Sequence, residues 1–313
     1  MEKEMSARRD FLKSSAMAAA ALLLPFGGAK AAGAKKKTKS FHRVLSCNIR
    51  VALPRDEEKG LGWGVRKKVC ASIIKKQNPD IICMQEVLKV QGEDMRTFFP
   101  DFFSFGFEGP DMDKFSEGYH GIAKNVILFS KARYELVACG CFWLSETPVI
   151  AGSMSWGTAR ARHANWVRLR DRRSAKEFRL INIHLDHISK EAREAQIAFV
   201  MKEAAQYQAE FPQLLAGDFN TGVSSEVLSI VEENGWQDTY SATLEKGDPG
   251  FTYHGFKGSE YQLKKPSANK DRRIDFIMSR GEVKALDNRI IRDSQNGHSP
   301  SDHYFIAADI ELL

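Results

Sequence analysis

Cysteine is scarce in this chain, five residues in 313, and most of it lies in apolar runs such as Val69-Cys70-Ala71 and Ile81-Ile82-Cys83-Met84. A thiol in such a run behaves as a small hydrophobe. Cys139 and Cys141 lack the spacing of a metal or redox pair, so neither a disulfide framework nor a cysteine-rich zinc site is expected. No second long apolar run follows the first thirty or so residues, which excludes a bundle of membrane-spanning helices. No Pro/Gly/Ser-rich break and no internal repeat divides the remainder, so one large domain over 41–313 is expected, as a monomer. Also missing is a basic stripe interleaved with aromatics. The net charge of +6 is spread along the chain and therefore does not mark a nucleic-acid groove.

The N-terminus is unlike the rest. Ser6-Ala7-Arg8-Arg9-Asp10-Phe11-Leu12-Lys13 places paired arginines ahead of an apolar stretch, Ala16 to Phe26, that is too short to span a bilayer. That order is a secretory signal, and its paired arginines resemble the twin-arginine class, whose cargo is exported already folded. The signal is assigned to 1–32 and a lysine-rich linker to 33–40. An uncleaved amphipathic helix and a signal anchor are the alternatives. Folding before export agrees with the lack of a disulfide framework. The expected location is the periplasm or the extracellular space.

In the body, short β-rich runs alternate irregularly with amphipathic helices, and polar residues recur where the runs end. Phe41 to Asn48 reads as a strand, Val65 to Gln77 as a helix stopped by Asn78-Pro79, and Ile81 to Met84 as a buried strand leading into Gln85-Glu86. Further strands are expected over Val126–Ser130, Arg133–Cys141, Asn165–Arg170 and Glu177–Asp186. The last of these puts Asn182, His184 and Asp186 on one face. Ser189 should cap a helix from Lys190 to about Gln208. A short strand then delivers Asp218-Phe219-Asn220, Ile274 to Met278 carries Asp275 in a buried strand, and Ser301-Asp302-His303 precedes the final strand. Strands outnumber helices, which predicts an α+β arrangement of two mixed, mostly antiparallel sheets packed face to face with helices outside.

Singly, Glu86 reads as a turn cap and His184 as a core histidine. Asp275 is different, because a carboxylate inside a buried strand is costly without a partner. Together, four carboxylates, two histidines and two amides form a set dominated by hard oxygen donors, which suits magnesium, manganese or calcium. Such a set suits metal-assisted attack of water on a phosphoester.

Six segments carry a resemblance. Ser46-Cys47-Asn48-Ile49, Pro79 to Val87, Asn182 to His187, Gly217-Asp218-Phe219-Asn220, Arg273 to Ile277 and Ser301-Asp302-His303 resemble, in order, the motifs of the endonuclease/exonuclease/phosphatase superfamily. That group includes DNase I, abasic endonucleases, bacterial sphingomyelinases and inositol polyphosphate 5-phosphatases. Phe142 to Pro148 and Arg162 to Trp166 are similar to a bacterial branch distantly related to its deadenylase-like members.

The resemblance implies a four-layer α/β/β/α sandwich with the site where the sheets open. It implies Glu86, Asn48 and Asp302 as metal ligands, and Asp218 as the residue that orients or deprotonates water. His303, held by Asp275, and His184 would contact the phosphoryl group, and Asn220 and Arg162 would bind the phosphate, with Arg160 a weaker candidate. Asp186 would be the acid paired with His184. Arg50, where some relatives have an acid, either reaches a second anionic group on the substrate or is a surface residue, and argues for one principal metal. The expected activity is an exported phosphomonoesterase or phosphodiesterase acting on a small-molecule, sugar- or lipid-linked substrate. An exported DNA or RNA nuclease is the runner-up, and a non-catalytic binding module the contrasting class.

Overall fold

Among the described residues twelve strands form two six-stranded sheets, in the orders β11-β12-β1-β2-β4-β3 and β5-β6-β7-β8-β10-β9. The structure, a computed structural model, describes residues 40–106, 123–243, 250–261 and 272–313. The signal, nearly all of the linker, and residues 107–122, 244–249 and 262–271 lie outside the described residues.

The first sheet takes β1 (His42–Asn48), β2 (Ile81–Gln85), β3 (Phe102–Phe105), β4 (Ile127–Ser130), β11 (Val283–Ile291) and β12 (Phe305–Leu312). The second takes β5 (Tyr134–Trp143), β6 (His163–Asp171), β7 (Glu177–His184), β8 (Gln213–Asp218), β9 (Gln237–Asp238) and β10 (Asp275–Arg280). The helices are α1 (Pro54–Glu57), α2 (Trp63–Lys76), α3 (Lys89–Phe98), α4 (Lys190–Ala204) and α5 (Glu226–Glu233).

Each sheet contains one parallel pair, β1 with β2 and β7 with β8, and the other pairs are antiparallel. A parallel pair needs a crossover, supplied by α2 in the first sheet and α4 in the second. Both crossovers bring two strand C-termini to one sheet edge, which places Asn48 beside Gln85 and His184 beside Asp218. Helix α2 ends where Asn78 adopts a left-handed φ of 50° before Pro79, and Ser189 Oγ caps α4 by accepting from Ala192 N at 3.1 Å.

Strand alternation sorts the side chains into layers. Leu45, Cys47, Ile82 and Met84 face outward onto Val69, Cys70, Ile73 and Ile74 of α2 and Met95 of α3. Ile181, Ile183, Leu215 and Met278 face Ile197, Val200 and Met201 of α4 and Val227, Leu228 and Val231 of α5. Val44, Ile81, Leu180, Leu214, Ile277 and Ile306 meet between the sheets. Each fully buried aliphatic side chain contributes about 1.5–3 kcal/mol.

Along the same inward rows the interior turns polar toward one end. Gln85 Nε2 donates to Asn182 Oδ1 at 2.7 Å and to Ser46 Oγ at 3.2 Å, and Asn182 Nδ2 donates to the carbonyls of Met84 and Val126. One step further along these rows stand Asn48, His184 and Asp218.

Candidate active site

The strand ends open onto a cleft of about 1050 Å³. Glu86, Arg162, His184, Asp218, Asn220, Asp302 and His303 line it, with Asn48 and Asp275 directly behind. Of the residues singled out in the sequence, these nine meet in one place, although they lie up to 255 positions apart (303 minus 48).

Asn48 ties the two sheets together. Its Nδ2 donates to Asp218 Oδ2 at 2.9 Å and to Glu86 Oε1 at 3.3 Å. Glu86 Oε2 accepts from Val51 N at 2.8 Å, and Asn220 N donates to Asp218 Oδ1 at 2.9 Å. Arg50, Glu86 and Asn220 all have positive φ, 59°, 63° and 51°, immediately beyond strand ends. A non-glycine residue there costs on the order of 1 kcal/mol, strain characteristic of functional sites. Arg66, buried on α2, supports this corner by donating to the carbonyls of Ile49, Arg50 and Pro300 at 2.7, 3.1 and 2.9 Å. Those carbonyls belong to the segments carrying Arg50 and Asp302. Nothing in the helical pattern of α2 signals this role.

Asp275 and His303 form a buried pair, Oδ2 to Nδ1 at 2.9 Å, and the other imidazole nitrogen of His303 faces Asp218 Oδ2 at 3.8 Å. Antiparallel pairing of β10 with β8 sets Asp275 opposite Asp218. Burial would depress the His303 imidazole, but Asp275, Asp218 and Asp302 outweigh it and raise its pKa to about 10. His184, 3.5 Å from Asp218, goes the other way. Burial and the Arg162 charge push it well below the ordinary histidine value, so the two imidazoles carry opposite protonation at neutral pH.

The carboxylates divide likewise. Burial and then Asp275 raise Asp218 to about 7. Burial also raises Asp302, with Glu86 adding repulsion. For Glu86 burial is outweighed by the Val51 N–H, His303 and Arg50, which hold it below the usual range.

Two groupings suit a divalent cation. Asp218, Asp275 and His303 offer ligand atoms that all lie within 4.8 Å of one another. Glu86 and Asp302, with the Asn48 amide, form the other, a hard-oxygen set whose mutual repulsion a cation would relieve. Each grouping has donors already engaged, His303 Nδ1 by Asp275 in the first, and Asn48 Oδ1 by Arg50 N and Asp302 Oδ2 by Arg50 Nη1 in the second.

Asp186 does not reach His184. The strand ends at His184, so the alternation that would carry Asp186 onto the same face is lost. Its Oδ1 instead accepts from Ile188 N and Ser189 N, and its Oδ2 from Thr158 Oγ1 and Ala159 N. Arg50 is not a plain surface residue. It lines the cleft, with Nε 2.9 Å from Asp56 and Nη1 3.2 Å from Asp302. Arg160 lines the cleft, and Arg162 Nη2 lies 3.4 Å from His187 Nδ1. His187 sits within one of the six motifs without having been given a role. Tyr253 also lines the cleft, whereas Trp63 and His254 are buried.

A two-sheet sandwich with carboxylates, imidazoles and arginines gathered at its open end defines a class of phosphoester hydrolases. Residues 45–303 match the Endonuclease/Exonuclease/phosphatase family, and the chain belongs to that family. Residues 6–25 match the twin-arginine translocation signal sequence, which addresses the chain for export, and no helix among the described residues is long and apolar enough to cross a membrane. An endonuclease/exonuclease/phosphatase from Bacteroides vulgatus is similar at 28% identity and a TM-score of 0.76, over 88% of this chain and 100% of that one. The mannosyl-6-phosphatase Bt3783 of Bacteroides thetaiotaomicron is 26% identical with a TM-score of 0.75, over 86% and 99%. The human Nocturnin catalytic domain, with a bound sulfate anion, shares the fold at 19% identity and a TM-score of 0.64, over 88% and 94%.

Proposed function

We propose that this protein is an exported, divalent-metal-dependent phosphoesterase that hydrolyses a small-molecule, sugar-linked phosphoester by attack of water, as a monomer. Its working body is 41–313, after a signal over 1–32 and a linker over 33–40. The observation that carries the reading is the line Asp275–His303–Asp218 at the base of an arginine-lined cleft. The likeness to the Bacteroides thetaiotaomicron mannosyl-6-phosphatase supports a sugar-linked substrate.

Glu86, Asn48 and Asp302 would hold magnesium, manganese or calcium. Bound there, the cation would neutralise charge on the phosphoryl oxygens. Asp218, raised to about 7, is matched to take a proton from water near neutral pH. His303, kept protonated by Asp275, donates to a phosphoryl oxygen as charge develops. Arg162 and the second amide proton of Asn220, whose first is given to Leu185 O at 3.0 Å, bind the phosphate. His184 stays neutral and contacts the same group.

The test is hydrolysis of mannose 6-phosphate, p-nitrophenyl phosphate and bis-p-nitrophenyl phosphate by the purified protein with magnesium or manganese, and its loss in chelator. No turnover across a broad phosphoester panel would return the chain to a binding role. Salt-sensitive cleavage of oligonucleotides in preference to these esters would establish the nuclease reading instead.

A further inference from the structure

Arg272 lines the cleft but takes no part in the chemistry above. Its backbone is fixed, because its carbonyl accepts from Thr252 N at 2.9 Å and Tyr253 N at 3.1 Å. Its guanidinium is fixed as well, lying 4.6 Å from the Tyr261 ring centroid and 5.6 Å from that of Tyr253. The two rings support each other edge to face at 6.2 Å and 75°. Tyr253 in turn pairs with His303 through an isolated β-bridge, and their rings are 5.1 Å apart. A rigid chain therefore runs from the reacting imidazole through Tyr253 to Arg272.

Stacking on rings leaves the edge of a guanidinium, with its fork of N–H donors, directed outward, the geometry that grips phosphate or carboxylate. Among the described residues no carboxylate lies within ion-pair distance of Arg272, in contrast to Arg50, which Asp56 and Asp302 engage. Ordering a long cationic side chain this way, beside a hydrolytic centre, suits a ligand group and not an internal ion pair.

We propose that Arg272, held on Tyr253 and Tyr261, forms a second anion subsite next to the hydrolytic centre, which takes a further phosphate or carboxylate carried by the same small-molecule phosphoester. This rests on the hydrolytic reading above and narrows its substrate to one with two anionic groups.

The experiment compares a hexose monophosphate with the matching hexose bisphosphate on the full chain with magnesium, in wild type and Arg272→Met. Wild type should favour the bisphosphate about tenfold in kcat/KM, through KM, and the variant should bring that ratio to about one. A preference that survives Arg272→Met, or an equal loss on both substrates, overturns the subsite. Calorimetric titration with the bisphosphate separates the two readings. A protein that turns over neither ester but binds the bisphosphate about tenfold more tightly than its Arg272→Met form fails as a hydrolase and keeps the subsite, whereas equal affinities remove it. A polyanion supplied as an oligonucleotide is the third arm, and cleavage of it that alone depends on Arg272 would assign the subsite to nucleic acid and overturn the small-molecule assignment.

Discussion

Asp218 and Glu86 open onto the same cleft and share the Asn48 amide, yet one carboxyl is pushed up and the other held down. The difference lies in their neighbours, since Asp218 faces Asp275 whereas Glu86 receives the Val51 N–H and the charge of Arg50. Asp218 is thus kept where folding alone would not favour a charge. Replacing it with alanine should lower kcat on the order of a thousandfold or more while the thermal midpoint stays level or rises, measured by steady-state kinetics and a melting scan. A drop in midpoint matching the loss of activity would mean a structural role. Asp275→Asn keeps an acceptor for His303 Nδ1 but removes the charge that sustains the imidazolium. It should cost about 10²–10⁴ in kcat with little change in KM. Wild-type turnover in Asp275→Asn would remove His303 from the assigned role. These residues were legible in the sequence because each breaks a rule where it stands. Asp275 interrupts an apolar run in the sequence, and Glu86 and Asp218 each stand just past one.

At the scale of elements, the site depends on how closely β7 and β8 approach. A Cβ on Gly217 would meet the carbonyl oxygen of Ile183, so only glycine permits the register that sets His184 beside Asp218. Gly217→Ala should therefore cost roughly 3 kcal/mol of stability and most of the activity together, read by urea unfolding and kinetics on one preparation. An alanine variant with normal stability would show that the approach can relax. Strands with strong alternation or apolar runs, such as β1, β2, β7 and β8, were readable, as were α2 and α4 with their Asn78-Pro79 stop and Ser189 cap. The hidden ones were α1, α3, α5, β3, β9 and β11. Helix α3 opens on Leu88, which offers no side-chain cap, and carries Gly92 in its interior, and β11 alternates half-buried with exposed residues over its first half, so neither has a plain start signal or an apolar run. Asp186 misled for a related reason, because alternation continues on paper past the point where the strand ends.

Over the whole molecule, the exported chain must tolerate the pH of its surroundings, and two buried histidines that do not line the cleft set a limit. Burial, then Arg133, lowers His42 to about 4, and burial, then Arg162, lowers His163 to about 3. Both folded values lie below the unfolded value of 6.5, so the unfolded chain binds protons that the folded chain resists. Their stability is fully present above pH 6.5 and is lost as pH falls toward 4 and 3. Each contributes a slope of about 1.4 kcal/mol per pH unit, so moving from pH 7 to 5 should cost on the order of 2 kcal/mol per histidine. Denaturant unfolding at the two pH values checks this, and His163→Asn should show a shallower slope. An identical slope would place the acid sensitivity elsewhere.

The sequence by itself determined the chemistry on offer: the export signal, the two-sheet α+β class, and the hard-oxygen and imidazole set, since each follows from local pattern and residue type. Tertiary structure decided what those groups are to one another. Which imidazole is protonated, which carboxylate is raised, where Asp186 turns and what Arg272 rests on all depend on distances of 3–6 Å between residues remote in the chain. Electrostatic and stacking energies fall off within such distances, and only the closed fold sets them.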